Sequence, residues 1–468
     1  MRAGTRASPQ RVTVAPPSMQ QLQLLEFSEA GHIPEAFHQT WMMRRAILVR
    51  PGLRVDRLRR AVEKVVARHE SLRMRFVYER NTWSVIVDSV NTNSFVEEDI
   101  GPIEEGDLQR VVADRLAPLL DPLTGPLLEV RLLRCGEQGD VLLLRGHHLI
   151  LDAWSMALVL GDVIRSYVGI PLGRPSAMNH ERFLREFTGH GKPALLAERE
   201  TYFRKLLLPA PPLPKLGRAS KGLEPNLNDV AVGPGAECTI GASLESRKQL
   251  LKRAKGAAVT ENALFLAAYA KALGQFGDVD DVQINIAVAN RTDRALHDYV
   301  GWANAMMPIR CKLRPGVGVE ELARDLYAQY LRSAAHLPID FAYQNRSGSL
   351  RQEQIEAGAF PKQFEGGPLA PEGMYKSVPL ASTLFGSGNS SIKLMGIEIG
   401  SFPLDSISYD VINELELRTD GTGDQYKFIA IYDETAFDRP EIEDLVHMVI
   451  KNMGMEPEPR KETPRSKK

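Results

Sequence analysis

The residues best suited to chemistry lie in "RGHHLILDAWSM" (145–156), where His147 and His148 precede Asp152 after a run of leucines. An imidazole titrates near neutrality, so a neutral histidine can take a proton from an attacking amine or alcohol as a bond forms. It can also orient that nucleophile, or stabilise a tetrahedral intermediate by charge and hydrogen bonding. Neighbouring side chains of a strand point to opposite faces, so His147 and His148 share one cavity only if the strand ends between them. One is expected to look into a site while the other packs behind it. A metal cage needs at least three converging ligands, and no second cluster such as HExxH supplies them, so no metal is expected. In a functional site Asp152 would hold the loop by pairing with a buried arginine, a contact that costs on the order of 3–5 kcal/mol to break from one side. The plainer alternative is that Asp152 caps the following helix and both histidines are satisfied core residues.

Nucleophilic catalysis by the nearby Ser155 would need a tight turn of the GxSxG kind, and "DAWSM" offers none. The nearest match, "GSGNS" (386–390), has no neighbouring acid or base. P-loop and dinucleotide-binding glycine patterns are missing too.

The elements that must position the histidines follow from periodicity. "DVLLLRG" (140–146) is apolar on both faces and reads as a central strand, with "LLEVRLLRC" (127–135) as another strand. "RVDRLRRAVEKVVARHE" (54–70) and "LQRVVADRLAPLL" (108–120) have helical spacing, the first with Asp56 as candidate N-cap. "LRMRFVY" and "TWSVIVD" alternate and read as a hairpin, which puts Arg73 and Arg75 on one strand face. After Asp152 the helical period returns. Residues 203–228 hold five prolines and no period, the signature of a linker. Beyond them the order repeats in kind: helices at "LESRKQLLKRAKGAAV", at the Thr260-capped "TENALFLAAYAKALGQFG" and at 319–336, with strands at 281–291, "SIKLMGIEI", "SISYDVINELELR" and "YKFIAIYD". The expected fold is α/β (α+β). Its parts are a disordered N-terminus at 1–14, a first lobe at 15–202, the linker, a second lobe at 229–453, and a disordered basic tail at 454–468.

The chain has 468 residues, 43% of them hydrophobic, and a formal net charge of −1. No global field therefore selects a nucleic acid or an anionic membrane, and neither is an expected partner. No stretch reaches the ~20 apolar residues of a membrane span, and "MRAGTRASPQRV" lacks the apolar core of a secretory signal. Cys135, Cys238 and Cys311 are far apart and match no metal spacing, so reduced thiols and a cytoplasmic location are expected.

"HHLILDAWS" (147–155) resembles the HHxxxDG motif of the condensation domains of nonribosomal peptide synthetases, members of an acyltransferase superfamily. Further segments resemble that family in its own order: "PPSMQQLQLLEF" (16–27) its SxxQ opening, "ARHESLRMRF" (67–76) its RHExLRTxF, and "LLDPLTGPLLEVRLLR" (119–134) the approach to the histidines. "AVTENALFLAAYAKALGQFGDVDDVQINIAVANR" (258–291) is similar to the opening of the second lobe, "VGWANAMMPIR" (300–310) to IGxFVNTLPLR, and "YDETAFD" (432–438) to the closing strand. Two further segments, HQDxPFE and RDxSRNPL, are hinted at in "AHLPIDF" (335–341) and "KSVPLASTLF" (376–385).

The resemblance implies two chloramphenicol-acetyltransferase-like lobes, each a mixed sheet flanked by helices, in a V-shaped pseudo-dimer with a tunnel between them. It implies His148 as the catalytic histidine, His147 as its support, and Asp152 as a structural residue paired with Arg73. Gly146, Ala153, Trp154, Ser155 and Trp302 are the expected tunnel lining. Ala153 stands where the motif has glycine, which is tolerable if its φ is negative. Asn304 sits one place early, with Ala305 where the family usually has asparagine, so no role is assigned to it. No tightly bound cofactor is expected, only a phosphopantetheine arm brought by an acyl or peptidyl carrier protein in trans. The chain reads as a free-standing, monomeric condensation enzyme that transfers an acyl or aminoacyl group to an amine or hydroxyl of a small-molecule or carrier-bound acceptor. Competing readings are an acyl-CoA-dependent acyltransferase, an inactive recruitment domain and, among relatives that keep the histidine motif, an epimerase.

Overall fold

Strand β1 (Thr13–Ala15) and helix α1 (Met19–Glu29) lead into β2 (Met42–Arg50), whose residues alternate between buried and half-buried over much of its length. The computed structural model describes residues 13–29, 41–88, 93–136, 139–217, 232–338, 350, 353–354, 364–368, 391–402, 410–412, 415–421 and 425–458. Helix α2 (Val55–Arg68) turns Leu58, Ala61, Val62, Val65 and Val66 inward. Arg54 rather than Asp56 stands at its N-cap, without a side-chain cap bond. The hairpin β3 (Met74–Glu79) and β4 (Thr82–Val87) closes through Arg80 and Asn81, both with positive φ, a two-residue turn whose twist suits antiparallel strands. β5 (Phe95–Asp99), α3 (Glu105–Leu116), β6 (Leu128–Arg134) and β7 (Asp140–His147) complete the first sheet's share of this half, and α4 (Ala153–Val168) packs against α2. After the long helix α5 (Pro193–Leu207) come β8 (Val232–Ala242), α6 (Leu244–Gly256), α7 (Glu261–Gly277), β9 (Asp281–Val288), β10 (Ala305–Lys312) and α8 (Val319–Ala334). β11 (Phe364–Pro368), β12 (Ser391–Leu394), β13 (Ile397–Ser401), β14 (Asp410–Ile412), β15 (Leu415–Asp420), β16 (Tyr426–Asp433) and α9 (Arg439–Asn452) follow.

Two lobes result, each a mixed sheet flanked by helices. In the first the order is β12-β13-β2-β7-β6-β5, with β5 parallel to β6. All eight residues of β7 are buried, as an interior strand apolar on both faces requires. In the second the order is β10-β9-β11-β15-β16-β8-β14, with β11 parallel to β9 and β15. Helix α7, apolar nearly all round and capped by Thr260, lies in that lobe's core. A small third sheet, β1-β4-β3, flanks the first lobe.

Several sequence boundaries need correction. The hairpin β12–β13, expected within the 229–453 lobe, pairs its Ile399 with Val49 and completes the sheet of the first lobe. Residues 203–207 finish α5 rather than open a linker: Phe203 and Leu207 are fully buried in the second core, so the helix runs until the proline at 209. Thr13 and Val14, expected to be disordered, pair with β4. Residues 454–458 are also ordered, with Met455 buried and Pro457 bridged to Ala242, while 218–231 and 459–468 lie outside the described residues. The segment 376–385 and the end of 335–341 lie outside them as well.

Candidate active site

Strand β7 ends at His147, so the two histidines part company where the alternation predicts. The His147 N–H bonds Leu127 O at 2.9 Å, the His148 N–H bonds Trp41 O at 2.9 Å, and a turn closes from Ile150 N to His147 O. A Cβ on Gly146 would lie 2.8 Å from Leu151 Cδ2, so the leucine side chain packs directly against the strand backbone there. His147 is fully buried and its Nδ1 accepts the Leu149 N–H at 3.1 Å, which requires the neutral ring with its proton on Nε2. It is a core residue with Nδ1 bonded within its own loop.

His148 is half-buried between two indoles. Trp302 of the second lobe lies 4.6 Å from it between ring centroids, Trp41 meets it edge-on at 5.5 Å, and the two indoles are 5.5 Å apart. Burial pushes the imidazole below its ordinary pKa; the Asp152 charge and the residue's own backbone pull the other way and are outweighed. The ring is thus held toward its neutral form.

Asp152 does two jobs. It caps α4, accepting the Ser155 N–H at 2.8 Å, and both its oxygens accept from Arg291 Nη2 at 2.9 Å, with each side chain 1% exposed. The N–H groups of Ala303 and Asn304 add bonds of 3.0 Å to Oδ2. Burial alone would raise this carboxyl's pKa, but Arg291 and the N–H donors overcome it and hold the group below the usual carboxylate range. Arg291 in turn donates to Leu296 O, Tyr299 O and Ser155 Oγ. Ser155 is fully buried; its Oγ donates to Gly301 O at 2.8 Å and accepts the Gly301 N–H at 3.0 Å. Trp154 Nε1 donates to His297 O across the same boundary.

The opening segment joins this node. Ser18 and Gln21 cap α1 reciprocally, each accepting the other's N–H, and Gln21 Nε2 then reaches Leu149 O at 2.6 Å. Gln20 Nε2 donates to Asn304 O, so α1 ties the histidine loop to the second lobe.

The expected pairing of Asp152 with Arg73 is overturned by Arg291. Arg73 ends a single 3-10 turn (Glu70–Arg73) rather than standing in β3, and its guanidinium donates to Asp88 O. Arg75 is in β3 and pairs with the Asp88 carboxylate. Trp154 and Ser155, expected to line a tunnel, are buried fasteners between the lobes, and Gly146 is buried under Leu151. Ala153 opens α4 without a positive φ, so the motif's glycine is not needed there. Of the expected lining, Trp302 packs its ring against that of His148. Sequence reasoning missed Arg291, Trp41 and Gln21 as site residues. Arg291 closes "VANR" and Gln21 completes SxxQ, so both lay within quoted segments, whereas nothing marked Trp41. Among the described residues no three His, Cys, Asp or Glu side chains come together to hold a metal ion, and no helix is long and apolar enough to cross a membrane. The three cysteines are buried and free.

With this geometry in place, comparison with known proteins is decisive at the family level. The family model described as "Condensation domain" matches residues 19–455. The chain belongs to the condensation-domain family. Condensation domains are acyltransferase-type enzymes that form amide bonds. Fumosorinone synthetase from Cordyceps fumosorosea is 29% identical over 345 residues, covering 71% of this chain and 8% of that protein. The chain thus spans a small fraction of the synthetase's length. Among solved structures, the SgcC5 protein from Streptomyces globisporus superposes with a TM-score of 0.71 at 18% identity, covering 94% of this chain and 98% of that one. The condensation domain from Monacolin K polyketide synthase gives 0.73 at 14% identity, covering 94% and 96%. Both share the fold of this condensation domain.

Proposed function

We propose that this condensation domain transfers an acyl or aminoacyl group from a carrier-protein phosphopantetheine thioester to an amine or hydroxyl acceptor, with His148 as its catalytic residue. The observation that carries the reading is a half-buried imidazole, biased toward its neutral form, on a loop fixed by a buried ion pair to the opposite lobe. The acceptor's lone pair attacks the thioester carbonyl, and His148 orients the acceptor and takes its proton. The new C–N or C–O bond forms, the C–S bond breaks, and the proton passes from the imidazole to the departing pantetheine sulfur as thiol. The thioester is already activated, so placing the partners supplies most of the effect and proton transfer typically a further ~10²–10⁴-fold. His147 supports the loop from behind through its Leu149 contact, and Asp152 with Arg291 anchors the loop rather than reacting. The pantetheine arm belongs to the carrier, which is proposed to act in trans on a monomer.

The test offers the full chain two donors for one acceptor, the acyl-loaded carrier protein and the matching acyl-CoA, and follows product by mass spectrometry. Faster transfer from the carrier, lost in His148→Ala, is expected. Equal use of acyl-CoA would replace the carrier reading with a CoA-dependent one, transfer undiminished in His148→Ala would remove His148 as the catalytic residue, and no transfer by the wild type from either donor would leave only a recruiting role. Loss of label from the α-position of a carrier-bound aminoacyl group would instead mark an epimerase.

A further inference from the structure

We infer that Trp302 is a positioning residue for His148: its indole, with that of Trp41, sets the orientation of the imidazole and links it to the second lobe. The inference deepens the proposed role of His148 and rests on it for its meaning in turnover, though its main test needs no substrate.

An imidazole that handles protons is commonly oriented by a hydrogen bond at the nitrogen that does not react. Here His148 Nδ1 is buried and makes no hydrogen bond to another of the described residues. Beyond the residue's own backbone, aromatic packing is what constrains the ring. Trp302 approaches at 4.6 Å with a 53° tilt and Trp41 at 5.5 Å with a 78° tilt, so the two indoles bear on the imidazole at different inclinations. Tilted and edge-on contacts are the arrangements aromatic quadrupoles favour. Trp41 also holds the His148 backbone N–H through its own carbonyl.

Trp302 has little freedom to move. Its neighbour Gly301 is bonded both ways to Ser155 Oγ, and the N–H groups of the next two residues, Ala303 and Asn304, are spent on Asp152. One short segment of the second lobe therefore grips the loop's carboxylate and lays a ring against its imidazole. A shift between the lobes would move the wall of the reacting group by the same amount. The indole also excludes water from one side of the imidazole, which favours the neutral form. Among the described residues the charge that bears on His148 is that of Asp152, itself paired with Arg291, and the neighbouring histidine, His147, is buried. What α1 sends to the loop and to residue 304 is the uncharged pair Gln20 and Gln21.

The experiment is a proton–carbon NMR titration of the full chain labelled at histidine Cε1, with His148 assigned by its absence in His148→Gln. In the wild type the His148 signal is expected to be displaced by ring currents and to titrate below the ordinary histidine value of about 6.5. Trp302→Ala should remove much of that displacement and move the titration up toward the ordinary value. Trp302→Leu, which keeps apolar bulk but no ring, is the fallback if the alanine variant does not fold. Trp302→Phe should stay near the wild type. In single-turnover transfer the ring-less variants should lose at least about ten-fold, as mispositioning of a reacting group does, with phenylalanine restoring most of it. An unchanged signal and titration in a folded ring-less variant would overturn the inference. A shifted titration in a protein that transfers nothing would keep the positioning role and reject the proposed reaction instead.

Discussion

Asp152 and His148 stand four residues apart on one loop, yet they are fixed by opposite means. Asp152 is saturated with partners: the Arg291 guanidinium and the N–H groups of Ser155, Ala303 and Asn304. His148 is bordered by two indoles and keeps a ring nitrogen clear of other residues. A side chain that only holds shape gains from every hydrogen bond it can accept, because a buried charge left unmet is expensive. A side chain that must exchange a proton loses by the same treatment, and aromatic walls can fix its ring without occupying its nitrogens. The loop divides anchoring from reaction within five residues.

The contrast is broken most severely from the anchoring side. Asp152→Ala leaves Arg291 charged, buried and half satisfied, and should cost about 3–5 kcal/mol of stability, measured by urea unfolding. Replacing Arg291 with methionine should cost a similar amount, and the double variant much less than the sum of the two, since the penalty is an unpaired charge. Ser155→Ala removes a hydroxyl that serves Arg291 and both backbone groups of Gly301, and should cost about 1–3 kcal/mol.

A smaller effect appears with pH. Burial depresses the pKa of His148 and, in the first lobe, of His180. Between each depressed value and the ordinary one near 6.5 the unfolded chain binds more protons than the folded one, so stability falls as pH drops through that window. Asp152, with its pKa lowered, keeps its contribution above the ordinary carboxylate value and loses it only as pH falls through the folded value. Urea midpoints at pH 7 and 5.5 should therefore differ, and His148→Gln should narrow the gap. The smallest expected change is Arg73→Ala, which removes a contact to Asp88 O and nothing from the Asp152 node; a loss of about 1 kcal/mol or less is expected.

Periodicity revealed much of this architecture because each element obeyed its local rule. β7 reads as central in its apolar run, α7 as a capped buried helix, and the β3–β4 turn as a hairpin. What stayed hidden is contact between distant parts. The return of β12–β13 to the first sheet depends on a free edge of β2, which alternation in β12 and β13 does not announce. The partner of Asp152 has the same character: the resemblance implies Arg73, and strand alternation leaves Arg73 and Arg75 on one face, whereas a 3-10 turn places Arg73 outside β3 and Arg291 arrives from 139 residues on. Trp41 carries no sequence signal, since its role comes from standing opposite Trp302 once the lobes meet. The Arg68–His69 part of "ARHESLRMRF" has a local explanation instead: both residues bind Asp162 of α4 and fasten the end of α2 to that helix.

The most direct test of the account is single-turnover acyl transfer from a loaded carrier protein by His148→Ala, with its urea midpoint measured alongside. The account predicts that transfer falls by at least about 10²-fold while the midpoint stays close to that of the wild type. Transfer at the wild-type rate, or a loss matched by a collapse in stability like that expected for Asp152→Ala, would contradict it.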